Sequence, residues 1–132
     1  MDLTVDASIL MAVILNESTK PRLVALTQGA ELMSAPSLPW EIGNALSALF
    51  RRRRIDWAQA ESALASYRQI PVRLPEVGLE ASVATAERQG IYAYDAYVIE
   101  CARRYKTPLL SLDRHQCEAA RSEGVEVMEV SA

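Results

Sequence analysis

Two stretches of the sequence, Leu3-Thr4-Val5-Asp6 and Pro108-Leu109-Leu110-Ser111-Leu112-Asp113, decide the fold. Each is a short apolar run that is closed by an aspartate and followed by a helical pattern, which is typical of a buried strand that leads into a helix. Ligands of open parallel sheets bind at the carboxyl ends of the strands. If these two strands are neighbours, Asp6 and Asp113 therefore face the same crevice.

Outward from these stretches, short apolar segments alternate with longer helical ones. We predict further strands at 31–35, 72–74 and 125–130. We predict helices over 9–15, 21–29, 39–54, 56–70, 76–89, 94–105 and 114–123, with Pro and Gly residues near several of the boundaries. This alternation favours an α/β fold in which a mostly parallel sheet is covered by helices on both faces.

Composition narrows the class of protein. The chain has 132 residues, half of them apolar, which predicts a single domain over 1–132. A net charge of −3 excludes a protein that holds nucleic acid by being basic along its whole surface. Two cysteines are too few for a disulfide scaffold, and no apolar run approaches a membrane span. We therefore expect a cytoplasmic protein that does not enter a membrane.

The acidic residues indicate the chemistry. Asp95 falls in the first turn of a predicted helix, and Glu41 begins another helix on the same face as Asn44. Taken alone, each of these acids is more typical of a helix cap or a first-turn acid than of a ligand. Carboxylates that converge without matching cations repel one another, and Mg²⁺ or Mn²⁺ would relieve that repulsion. A phosphodiester is the natural substrate of such a metal site.

Four segments carry a resemblance to a known family. They are Val5-Asp6-Ala7-Ser8, Pro39-Trp40-Glu41-Ile42-Gly43-Asn44-Ala45-Leu46, Tyr94-Asp95-Ala96 and Thr107-Pro108-Leu109-Leu110-Ser111-Leu112-Asp113. In this order, and over almost the whole chain, they resemble PIN-domain proteins. More narrowly, the chain is similar to VapC-type toxin ribonucleases of type II toxin–antitoxin pairs.

The resemblance implies a three-layer α/β/α sandwich around a mainly parallel sheet of about five strands. It implies that Asp6, Glu41, Asp95 and Asp113 bind Mg²⁺ or Mn²⁺ and support cleavage of single-stranded RNA. Ser8 would either orient Asp6 or a metal-bound water, or cap the first helix, and Asn44 is a further candidate for support. The expected partners are a second copy of the chain in a homodimer and a VapB-like antitoxin, with DNA reached only through the antitoxin.

Other features leave alternatives open. The basic run Arg51, Arg52, Arg53 and Arg54 is either a solvated helix end or a patch that contacts RNA. We expect Trp40 and Trp57 in the core or in a dimer interface, although an aromatic side chain near the site could stack on a base. A catalytically silent PIN-like module that only binds protein is the alternative to an enzyme, and the presence of all four acids counts against it.

Overall fold

The computed structural model describes residues 1–130. Within them, four strands form one parallel sheet in the order β3-β2-β1-β4. The strands are β1 (Asp2–Val5), β2 (Glu31–Met33), β3 (Val72–Arg73) and β4 (Leu109–Leu110). Strand β1 pairs with β2 on one side and with β4 on the other, where Val5 lies opposite Leu110. The predicted parallel α/β fold is confirmed, and the two strands that lead to Asp6 and Asp113 are neighbours.

Helices cover the sheet on two sides, as the three-layer prediction requires. They are α1 (Ala7–Ile14), α2 (Lys20–Thr27), α3 (Leu38–Arg51), α4 (Trp57–Arg68), α5 (Leu79–Gln89), α6 (Ala93–Tyr105) and α7 (Arg114–Ser122). Side chains of α1 to α4 form one apolar core, and side chains of α6 and α7 form the other. Among residues 1–130, no helix combines the length and the apolar character that a membrane crossing requires.

The neighbouring strands β1 and β4 divide their side chains between the two faces of the sheet. Leu3 and Val5 of β1 lie in the core of α1 to α4, and Thr4 is buried with its hydroxyl 2.6 Å from that of Thr107. In β4, Leu110 joins the core of α1 to α4 and Leu109 joins the core of α6 and α7. Because successive side chains of a strand point to opposite faces, this division holds β1 and β4 rigidly between two helical layers.

The strand predicted at 125–130 is reduced to one bridge. Val127 pairs with Leu109, whose amide donates to the carbonyl of Glu126 at 2.8 Å, and the amide of Met128 donates back to Leu109 at 2.8 Å. Strand β4 has only two residues before the chain turns towards Asp113, so a longer ladder has no partner to pair with.

Helix α5 begins later than the sequence predicts. The pattern places its start at residue 76, but the carbonyl of Glu76 accepts a hydrogen bond from the Tyr105 hydroxyl at 2.7 Å. Gly78 then caps the helix in an extended conformation, and the first helical residue is Leu79. A contact with α6 therefore keeps residues 76–78 out of the helix.

Candidate active site

The site is built where the chain order of the sheet reverses. Strands β2 and β3 lie on one side of β1, and β4 lies on its other side. The gap between β1 and β4 is therefore the topological switch point. Asp6 directly follows β1 and is the N-cap of α1, accepting from the Ser8 amide at 3.1 Å. Asp113 is the N-cap of α7 and accepts from the His115 amide at 2.9 Å. The two aspartates thus stand at the carboxyl ends of adjacent strands.

Two serine hydroxyls join Asp6 to the loop between β4 and α7. Ser111 Oγ donates to Asp6 Oδ2 and accepts from the Asp113 amide at 3.0 Å. Ser8 Oγ donates to Asp6 Oδ1 and accepts from the Leu112 amide at 2.9 Å. The contact between Ser8 and Asp6 is the one expected of a residue that orients this carboxylate. The capping alternative for Ser8 is wrong, because Asp6 itself caps α1 and Ser8 is already inside the helix.

The other two acids approach from helix starts. Glu41 lies in the first turn of α3, where its Oε2 accepts from Ser37 Oγ at 2.7 Å. Asp95 lies in the first turn of α6, and within residues 1–130 its carboxylate accepts no hydrogen bond. The first carboxylate is therefore held by a neighbouring hydroxyl, whereas the second is free to turn towards a ligand.

Charge repulsion links each of the four acids to at least one of the others. Burial raises the pKa of Asp6 above its ordinary value, against the opposing hydrogen bonds of Ser111 and Ser8, and the charge of Asp113 raises it further. Burial likewise raises the pKa of Glu41 and of Asp95. The charges of Asp6 and Asp95 add to the shift at Glu41, and those of Asp113 and Asp6 add to the shift at Asp95. Across residues 1–130, none of the four carboxylates is in an ion pair.

This donor set fits a hydrated divalent cation. In the described part of the chain, no three His, Cys, Asp or Glu side chains stand close enough to enclose an ion by themselves. Mg²⁺ does not need such an enclosure, since it commonly keeps several waters and binds through one or two carboxylates. Negative charge without a cationic partner at the switch point is what such an ion would neutralise. The side chains available to hold it are those of Asp6, Glu41, Asp95 and Asp113.

The remaining candidate residues are placed along α3. Asn44 is exposed and shares a cavity with Glu41. Arg51, Arg52, Arg53 and Arg54 are exposed at the opposite end of the helix, roughly 15 Å along its axis from Glu41 at 1.5 Å per residue. Arg54 borders a separate cavity of about 510 Å³, between α1 and α4, whose walls include none of the four acids. Contact between the arginines and RNA stays a prediction.

Comparison with known proteins identifies the family. The sequence profile of the PIN domain matches residues 3–122. The chain belongs to the PIN-domain family. A comparison with curated proteins gives no match.

Solved structures share the PIN fold at low sequence identity. PAE2754 of Pyrobaculum aerophilum is 24% identical with a TM-score of 0.68, and the match covers 90% of this chain and 87% of the other. VapC20 of Mycobacterium tuberculosis, a toxin that cleaves the sarcin–ricin loop, is 17% identical with a TM-score of 0.62. That match covers 89% of this chain and 94% of VapC20. At these identities the two proteins support the fold alone.

Both tryptophans of this PIN domain contradict the prediction that they lie in the core. The side chain of Trp40 is 74% exposed and that of Trp57 is 62% exposed. Each tryptophan lies in the first turn of its helix but off the face that packs inward. That face is formed by Leu38, Ile42 and Leu46 in α3 and by Ala60 and Ala63 in α4. Burial in a dimer interface stays a prediction.

Sequence reasoning missed two serines that position the acids. Ser111 lies two residues before Asp113, and Ser37 lies four residues before Glu41. The signal for Ser37 is its spacing, because residues four apart are neighbours on a helix. The signal for Ser111 is weaker, since a polar residue at the end of an apolar strand reveals neither its partner nor its direction.

Proposed function

We propose that this PIN domain is a VapC-like, metal-dependent endoribonuclease toxin that hydrolyses phosphodiester bonds of single-stranded RNA. The observation that carries the proposal is the cluster of four carboxylates at the switch point, with no ion pair to any of them within residues 1–130. PIN domains are typically nucleases, and a VapC toxin is among the proteins that share the fold.

In this proposal the four acids hold the metal ion. Asp6, Asp95, Asp113 and Glu41 would hold Mg²⁺ or Mn²⁺, which supplies an activated water and neutralises charge on the phosphate. Ser8 and Ser111 fix the carboxylate of Asp6, so that its position does not change when substrate arrives.

In this proposal Glu41 both helps to hold the ion and accepts a proton. Its Oε2 is held by Ser37, and its Oε1 has no hydrogen-bond partner within residues 1–130. Burial raises its pKa above the ordinary value of a glutamate, and a higher pKa makes a carboxylate a stronger base. We assign the proton from the attacking water to Glu41 Oε1.

The partners belong to the same proposal. A VapB-like antitoxin would neutralise the enzyme by placing a basic side chain among the unpaired carboxylates, and DNA would be bound only through that antitoxin. The active form would be a homodimer in the cytoplasm. These statements rest on the resemblance to VapC toxins and on the uncompensated negative charge of the site.

Cleavage of a mixed pool of single-stranded RNA tests the enzyme. We expect cleavage with Mn²⁺ and none with EDTA or with the Asp95→Asn variant in Mn²⁺. The matched control is Asp2→Asn, because Asp2 lies at the other end of β1 in a surface ion pair with Arg73 at 3.5 Å. This control should cleave like the unmodified protein.

Each other outcome has a definite meaning. Cleavage that persists in EDTA, or in the Asp95→Asn variant, would contradict the proposed site and indicate a contaminating nuclease. No cleavage under any metal condition would favour the catalytically silent binding module.

A further inference from the structure

Two exposed aromatic rings adjoin the site in sequence and in space. Trp40 directly precedes Glu41, and Tyr94 directly precedes Asp95. The two rings are 74% and 54% exposed, respectively. Large apolar side chains that remain this exposed next to a catalytic cluster are a binding surface rather than part of the core.

The rings share one cavity with polar groups of the site. The cavity has a volume of about 510 Å³ and is lined by Ala7, Trp40, Glu41, Asn44, Ala45 and Tyr94. Within residues 1–130, the side-chain amide of Asn44 makes no hydrogen bond, so both its donor and its acceptor are available. Tyr94 is steadied by an edge-to-face contact with Tyr97, with ring centroids 6.0 Å apart.

We propose that this cavity binds one unpaired nucleobase of the substrate strand, beside the phosphate that is cleaved. The inference rests on the proposed ribonuclease function and names the feature of RNA that the site takes. Trp40 and Tyr94 supply faces on which a base stacks, and Asn44 hydrogen-bonds to the edge of that base. Because a base in a duplex is already stacked and paired, the cavity selects single strands.

The polar groups favour a nucleobase over a protein surface. The cores of protein interfaces are depleted of charged residues, whereas Glu41 lines this cavity. A nucleobase presents an apolar face together with a hydrogen-bonding edge, which matches two aromatic rings and a free amide. A base held here also tethers its own strand beside the four acids, so that the contact contributes to binding of the substrate.

Tryptophan fluorescence tests the stacking directly. The chain has two tryptophans, so Trp57→Phe leaves Trp40 as its single reporter. We would titrate this variant with a 12-nucleotide oligo(U), a 12-nucleotide oligo(A) and an abasic 12-mer of the same backbone, and follow binding by the anisotropy of a label on each probe. We expect the oligonucleotides that carry bases to quench Trp40 and the abasic strand to leave it unchanged. Binding without quenching would overturn the inference.

Kinetics give an independent test. Trp40→Ala should raise KM for a cleaved single-stranded RNA about tenfold, equivalent to about 1.4 kcal/mol, with little change in kcat. Trp40→Phe should restore most of the affinity. The matched control is Trp57→Ala, which removes a similarly exposed tryptophan away from the four acids and should leave KM unchanged.

The outcomes separate this inference from the proposed function. Metal-dependent cleavage with equal KM values for Trp40→Ala and Trp57→Ala would overturn the nucleobase cavity and leave the nuclease intact. If Trp40→Ala instead dissociates a dimer in sedimentation and raises KM only by that route, the cavity belongs to an interface with a second copy, and the inference fails. Absence of both RNA binding and cleavage would overturn the two proposals together.

Discussion

Glu123 and the four acids of the candidate site differ in the charges that surround them. Glu123, after α7, accepts hydrogen bonds from Arg88 of α5 at 2.9 Å, from Arg103 of α6 and from Gln89. The hydrogen bond from Arg88 is the main cause that lowers the pKa of Glu123 to about 2. At the switch point, burial and mutual repulsion raise the pKa of Asp6, Glu41 and Asp95 instead.

The two sets of acids differ in whether their charge is balanced by cations of the described residues. The charge of Glu123 is satisfied within the chain and ties three helices together. The four site carboxylates are arranged just as definitely, yet none of them forms an ion pair within residues 1–130. Their charge is an energetic cost to the folded protein until something from outside neutralises it.

The largest effect should come from Asp6→Asn. Asn is as good an N-cap as Asp, so α1 keeps its start while the negative charge is lost. We expect RNA cleavage to fall by about 100-fold or more, and the free energy of unfolding to stay unchanged or to rise. Cleavage rates and urea unfolding measure the two effects. Unchanged activity would remove Asp6 from the site, and a large loss of stability would show that its charge is structural.

Glu123→Gln should show the opposite pattern. The change removes the charge that Arg88 and Arg103 share, and we expect a loss of about 2 kcal/mol in the free energy of unfolding, with cleavage unaffected. The matched control is Glu129→Gln, whose ion pair with Arg121 is exposed and should contribute less than about 0.5 kcal/mol. If the two variants unfold at the same urea concentration, the structural role of Glu123 is contradicted.

Added Mn²⁺ or Mg²⁺ should stabilise the folded protein only by binding at the candidate site. An ion at about ten times its Kd contributes about 1.4 kcal/mol to the folded state, or a rise in Tm of roughly 4 °C. Calorimetry with Mn²⁺ or Mg²⁺ should show this rise in the unmodified protein and in Glu123→Gln, and a smaller one in Asp6→Asn. An equal rise in all three proteins would place the ion elsewhere.

The smallest effect is a difference in pH dependence, measured without divalent metal. The lowered pKa of Glu123 stabilises the fold above its ordinary pKa of 4.5, and this contribution is lost as the pH falls towards 2. The stability gap between the unmodified protein and Glu123→Gln should therefore shrink below about pH 4.5.

The raised pKa of Asp95 has the opposite sign, since ionisation of this group opposes folding and its cost appears as the pH rises. Asp95→Asn should gain stability relative to the unmodified protein with rising pH. Parallel curves for this variant and Glu123→Gln would contradict the contrast between the two acidic groups.

The sequence was sufficient to predict those parts of the fold that have a local pattern. Leu3 to Asp6 and Leu109 to Asp113 identify strands that end in acids, because apolar strands between helices have a strong local signature. Glu41 and Asp95 stood out by their positions in the first turns of helices, and the family resemblance then implied that they share a metal site with Asp6 and Asp113. In the structure, charge repulsion links each of these four residues to at least one of the others, and their catalytic role stays a prediction.

The features that could not be predicted from the sequence depend on contacts between distant segments. The hydrogen bond from Ser111 to Asp6 joins residues 105 positions apart, and no local pattern encodes it. The segment at 125–130 has the composition of a strand, but β4 offers it only one pairing position. Trp40 is of a residue type that often lies in cores, but it is exposed because the buried face of α3 is formed by Leu38, Ile42 and Leu46.

Asp6 and Asp113 also cap helices, and this second role predicts which acids remain in relatives of the proposed enzyme that have lost activity. Asp6 and Asp113 each start a helix, so a lineage that lost catalysis would still be selected to keep them, or to replace them with Asn or Ser. Asp95 has no such second task, because within residues 1–130 its side chain holds no backbone group. Under the proposed function, position 95 is therefore where a loss of activity would first be recorded, and it is the position to inspect when related sequences are sorted into active and inactive members.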